Sequence, residues 1–181
     1  MTSPLKGAIA KAMGKAMKAM TFPVTYRKTT TTAAKAGAAY AIGVSTINVT
    51  NCPAGWGGVV PGDTFGTWPY VVANTVIPVA GTMTGVAFAP ALGTALTSGS
   101  ALTFTHNTDF TVRGFDTLIG AFDLPNTTIL VGDTKFVLMA DGIVNPPVVN
   151  DKIKTRDGRW LTIINVAQDP ALATYTIQAR G

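Results

Sequence analysis

The sequence predicts a mainly β protein: a small β-barrel or sandwich with an N-terminal α-helix and an inserted second β module. Three observations predict it. The 181 residues contain no glutamate, and lysine is scarce after residue 35. Both residue types favour exposed helical faces, so a helical bundle is not expected. Val, Ile, Thr and Phe take their place, and these suit pleated, half-buried surfaces. Short apolar runs are separated throughout by Gly, Pro, Asn and Asp, the residues that turn a chain between strands.

The helix is expected first. Ser3 followed by Pro4 is a start signal, with Ser as N-cap and Pro at the first helical position. At 100° per residue Leu5, Ile9, Met13, Met17 and Met20 share one apolar face, while Lys11, Lys15 and Lys18 lie opposite. Pro23 ends the pattern, because the residue before a proline is pushed out of the α region. An isolated helix cannot hide such a stripe, so the apolar face is read as docking on protein. The lysines are read as a solvated face or as contacts to DNA or an acidic partner.

Residues 24–28 then read as a first strand and 29–37 as a polar linker of small residues. Short strands are expected at 45–50, 63–65, 70–73, 83–88 and 101–105, and these make residues 36–107 an inserted β module. The chain thus divides into 1–35 (helix and first strand), 36–107 (insert) and 108–181 (a second β domain). In that last part strands are expected at 110–122, 133–139, 152–155, 159–166 and 174–180. Asp157-Gly158 is a hairpin signal between two of them. Over 174–180, Tyr175, Ile177 and Ala179 alternate with polar residues, which buries one face.

Charge narrows the function. Lys and Arg number 14 against nine acids, yet seven basic residues precede the first acid, Asp63. The basic character therefore belongs to the N-terminal segment, and the remainder has no charge-based nucleic-acid surface. Only 13% of residues are charged, well under the usual quarter, so much of the surface is expected to face other protein. Cys52 is the single cysteine, read as a small buried apolar residue, and allows no intrachain disulfide. No apolar run approaches the roughly 18–20 residues of a membrane span. Lysines interrupt the N-terminal segment, so no secretory signal and no membrane partner are expected.

No catalytic constellation emerges. His106 is the only histidine and reads as an exposed turn residue. A general base needs an orienting partner and a nucleophile, and neither is adjacent in sequence. The acids are all aspartates, and Asp63, Asp133, Asp141, Asp151 and Asp157 sit where turn residues sit. No phosphate loop, CxxC pair or metal-spaced ligand set is present. The expectation is no enzyme, no catalytic residue, no metal and no cofactor. Trp56, Trp68 and Tyr70 are candidates for an exposed aromatic platform, with core packing as the alternative.

Residues 110–181 resemble the head-to-tail connector proteins of long-tailed bacteriophages, the head-completion, stopper or neck group. The stretch from Phe110 through Arg113 to Phe115 leads to the segment from Gly120 to Pro125. The strand 136–139 follows, then Asp151 and Ile153, Gly158 with Trp160, and Ile163 with Val166. A lysine-bearing helix before a first strand is also similar. The insert departs from the compact members of that family. The resemblance implies a structural virion protein, assembled in the host cytoplasm. It implies a homo-oligomeric ring of about six- or twelve-fold symmetry between portal or adaptor and tail. The ring would help close the DNA-filled head, with the portal or adaptor ring, tail proteins and packaged DNA as partners. A capsid decoration protein or a carbohydrate- or partner-binding β module is the alternative.

Overall fold

A computed structural model describes residues 21–66, 70–118 and 132–181. The expected helix, with Leu5, Ile9, Met13, Met17 and Met20 on one face and Lys11, Lys15 and Lys18 on the other, lies outside the described residues. Among the described residues there is no helix; the chain is mainly β, with ten strands in one antiparallel sheet order. These are β1 (Phe22–Ala36), β2 (Thr46–Thr50), β3 (Thr64–Phe65), β4 (Tyr70–Val72), β5 (Met83–Ala89), β6 (Ala101–Leu118), β7 (Thr134–Met139), β8 (Lys152–Lys154), β9 (Trp160–Gln168) and β10 (Thr174–Arg180).

The chain forms two compact units. One is residues 29–107, here the insert unit; the other, the terminal unit, joins residues up to Lys28 to those from Thr108 onward. The first junction differs from the expected 35/36 boundary. The stretch 29–37, expected as a linker, is instead strand through Ala36. Thr29 to Thr32 are β-branched, and their branched side chains suit a pleated surface better than a flexible tether. The second boundary, at 107/108, falls where expected, although β6 runs across it without interruption from Ala101 to Leu118.

In the insert unit the hydrogen-bonded order is β1-β2-β5-β4-β3-β6, and β6 pairs back to β1. Alternation buries Ala34, Ala36, Ile47, Val49, Val72, Val86, Leu102 and Phe104 in one core. Phe65 sits at its aromatic centre, edge-on to Phe88 at 5.0 Å and tilted against Phe104 at 5.1 Å. In the terminal unit the order is β6-β7-β10-β9-β8-β1, and β1 pairs back to β6. Its own core holds Val24, Tyr26, Phe136, Leu138, Ile153, Ile163, Ile177 and Ala179.

The two units are built on one plan, ladder by ladder. Phe65 lies opposite Tyr70 and opposite Phe104; in the terminal unit Ile153 lies opposite Leu161 and opposite Tyr26. Val72 pairs Phe88 as Ile163 pairs Ala179. Ile47 pairs Val86 as Phe136 pairs Ile177. Ala36 pairs Val49 as Gly114 pairs Leu138. At Gly114 a Cβ would meet the Val137 carbonyl at 2.6 Å, so the close approach of β6 and β7 requires glycine there. In the insert unit the six strand segments follow in chain order. In the terminal unit five do, and the sixth place is taken by the start of β1.

Candidate functional site

The shared plan places a buried aspartate at the same point in each unit, at the entrance to β3 and to β8. Asp63 donates its backbone N–H to the Val60 carbonyl at 3.1 Å, and its Oδ2 accepts the Val60 N–H at 3.0 Å. Asp151 and Val148 repeat both bonds, at 3.2 and 2.9 Å. The residue before each aspartate has positive φ: Gly62 at +96° and Asn150 at +76°. Glycine adopts that region without a Cβ penalty, and asparagine is the residue that tolerates it next best. Gly62 and Asn150 then donate to the Val72 and Ile163 carbonyls, both at 2.9 Å. In each unit the carboxylate satisfies a backbone donor inside the loop.

The second role of each aspartate differs. Asp151 Oδ2 lies 3.3 Å from Lys28 Nζ on β1. Asp63 Oδ1 lies 2.5 Å from Nδ1 of His106 on β6. His106 is therefore not the turn residue expected from the sequence, although its side chain stays partly exposed. It is a strand residue whose imidazole is held by a carboxylate 3% exposed, while 42% of its own side chain remains exposed. With Nδ1 engaged, Nε2 is the ring atom left to meet solvent or a ligand.

Beside His106 runs a groove of about 250 Å³, lined also by Thr30, Thr32, Trp56, Gly58 and Val60. Trp56 is half-buried and packs on Phe104 at 5.5 Å, so part of the ring serves the core and part the groove. The wall behind is tight. A Cβ on Gly58 would meet the Val76 carbonyl at 2.1 Å, and Gly58 has φ of +90°. The groove offers an oriented imidazole, two threonine hydroxyls and an indole. That set can hold a polar or apolar surface. An acyl-transfer reading would need a nucleophile hydrogen-bonded to the imidazole, and among the described residues the side-chain hydrogen bond of His106 runs to Asp63.

The other buried carboxylate, Asp133, is also taken up structurally. It accepts from Arg180 Nε at 2.6 Å and from Gln178 Nε2 at 2.6 Å. Its hydrogen bond with Arg180 raises the Arg180 pKa above its ordinary value. Arg27 forms a bidentate pair with Asp109 at 2.6 and 2.8 Å and lies 4.3 Å from the centre of the Trp160 ring. Cys52 is buried, and desolvation pushes its thiol pKa up, as expected for a residue that packs rather than reacts. Among the described residues no group of three His, Cys or Asp side chains gathers as metal ligands do.

Charge is divided unevenly between the units. Residues 29–107 contain one lysine, Lys35, and one carboxylate, Asp63, which is buried. All other Lys, Arg and Asp side chains of the described chain belong to the terminal unit. The insert unit meanwhile exposes large aliphatics: Ile42 at 67%, Ile77 at 66% and Val79 at 77%.

Sequence reasoning missed the Asp63–His106 pair, whose members are 43 positions apart and meet only when β3 pairs with β6. Of the aromatic candidates, Trp56 lines the groove, Tyr70 packs at 5.2 Å on Phe65, and Trp68 lies outside the described residues. No family model, curated protein or solved structure matches this chain.

Proposed function

We propose that this chain is a structural assembly protein without catalytic activity, a subunit of the ring that joins head and tail in a long-tailed phage. In this reading each unit is a small β-barrel, and the ring lies between portal or adaptor and tail and helps close the DNA-filled head. The observation that carries it is the nearly uncharged, aliphatic-bearing exterior of residues 29–107. Monomeric proteins rarely leave such surfaces to water, whereas assembly subunits cover them. The resemblance of residues 110–181 to connector proteins supplies the setting. The use of Asp63, Asp133 and Asp151 in turns and ion pairs supports a scaffold role.

The groove at Trp56 and His106 favours a second reading, a capsid decoration or carbohydrate-binding module, since an indole beside oriented polar groups suits a sugar face. Mass spectrometry of purified particles, with copy number, separates the readings. A ring predicts a small fixed copy number per particle and loss of tail joining when the gene is disrupted. Decoration predicts hundreds of copies and intact tail joining. Absence from particles of a strictly monomeric protein would overturn both.

A further inference from the structure

We infer that the insert unit is the self-association surface of this protein, and that its occupant is a second copy of the same chain. The inference deepens the assembly reading and rests on it. The isolated bridge between Val59 and Val76 sets Val60 and Ile77 on adjoining segments, and a second bridge, Val79 to Thr82, carries Val79 out on the same loop. Val60 is 36% exposed, Ile77 66% and Val79 77%. The Trp56–His106 groove shares Val60 with this patch, so it is continuous with it.

Charge selects the partner. A charged partner docking here would lose water from its own ions and meet almost no counter-charge, because Lys35 is the only ionised group that residues 29–107 keep outside an internal pair. Unpaired charges buried in this way oppose binding. An uncharged partner incurs no such penalty, and the uncharged protein surface at hand is the insert unit of another copy. Within a ring this contact is head-to-tail: the patch of one insert unit meets a different uncharged face of the next insert unit, and the repeated rotation closes.

The test is light scattering of the full-length chain after size-exclusion chromatography, over a concentration series and at low and high salt. Self-association is expected, with a Kd that shifts less than about twofold on raising the salt, since no ion pair is made or screened. Ile77→Asp and Val79→Asp, both at exposed loop positions, are expected to weaken it at least tenfold with unchanged circular dichroism. Val144→Asp, an exposed apolar position in the terminal unit, should leave it unchanged. A monomer at every concentration overturns the inference. So does association untouched by Ile77→Asp and Val79→Asp, or association abolished by salt. If both Asp variants still enter particles as rings, this inference fails and the assembly reading stands. If the wild-type chain associates through this patch but is absent from particles, the phage role fails and the inference stands.

Discussion

Asp63 and Asp151 show how much of the architecture rests on single side chains. Each caps a backbone N–H three residues earlier and pairs with a cation or imidazole on a long strand. Replacing either with alanine removes the carboxylate partner of a part-buried backbone donor, which costs about 0.5–1.5 kcal/mol. Asp63→Ala is expected to raise amide exchange across residues 29–107, and Asp151→Ala to raise it across the terminal unit, because the two cores share no residue. Exchange followed by mass spectrometry measures both; a change of less than about 0.5 kcal/mol for either would show the turn to be incidental. The turn residues themselves were legible as turn residues, since Pro61-Gly62-Asp63 and Asn150-Asp151 are strong punctuation. That they are the same turn was not. Val60-Pro-Gly-Asp-Thr-Phe65 and Val148-Val-Asn-Asp-Lys-Ile153 share only their valine and aspartate, and the identity lies in hydrogen bonds rather than letters.

At the level of the element, regular alternation and strong turn signals were readable and long strands were not. Residues 174–180 form β10 as expected, and Gly158, at φ +92°, sits in the tight connection between β8 and β9 where Asp157-Gly158 pointed to a hairpin. Thr29 to Thr32 and His106-Asn107 looked like loops because they are polar. In β1 and β6 those polar residues face each other instead: Thr25 meets Thr111, Arg27 meets Asp109 and Thr29 meets Asn107. Such cross-strand pairs stabilise an exposed sheet face, a pattern that only pairing reveals. The Arg27 hydrogen bond holds the Asp109 carboxyl below the usual range. Its folded pKa is thus depressed relative to the unfolded value near 3.9, so its contribution is present above about pH 4 and is lost as pH falls through the folded pKa. Both side chains are partly exposed, at 31% and 43%, so the contribution is about 0–1 kcal/mol. The difference in Tm between the wild type and Asp109→Asn is expected to shrink between pH 6 and pH 3. A difference that stays constant or grows would sink this assignment.

For the whole molecule, the insertion was visible as a block of short strands between polar stretches; its end at 107/108 fell where expected, while its start lay inside the continuous strand β1. The terminal unit takes the start of β1 and the end of β6, and their side-chain pairs place Thr25 against Thr111 and Arg27 against Asp109. Continuing that antiparallel register sets Lys28 opposite Thr108. Two residues directly opposite each other can be joined by a two-residue hairpin turn, for which Asn-Gly is the preferred sequence. Replacing residues 29–107 with Asn-Gly should therefore leave a terminal unit with its six strand segments in the same order and its core intact, since no core residue of that unit lies within the deleted stretch. Far-ultraviolet circular dichroism typical of β structure and a single cooperative thermal transition are expected. The cut that the sequence suggested, removing 36–107, is the informative comparison. It would leave residues 29–35 extended with neither β2 nor the first half of β6 beside them, and an unpaired strand edge invites aggregation. The 36–107 deletion should unfold at lower temperature and aggregate at lower concentration than the 29–107 deletion. Equal behaviour of the two, or loss of cooperativity in the 29–107 deletion, would mean that the terminal unit draws its stability from residues beyond Lys28 and that the division into two self-sufficient units is wrong.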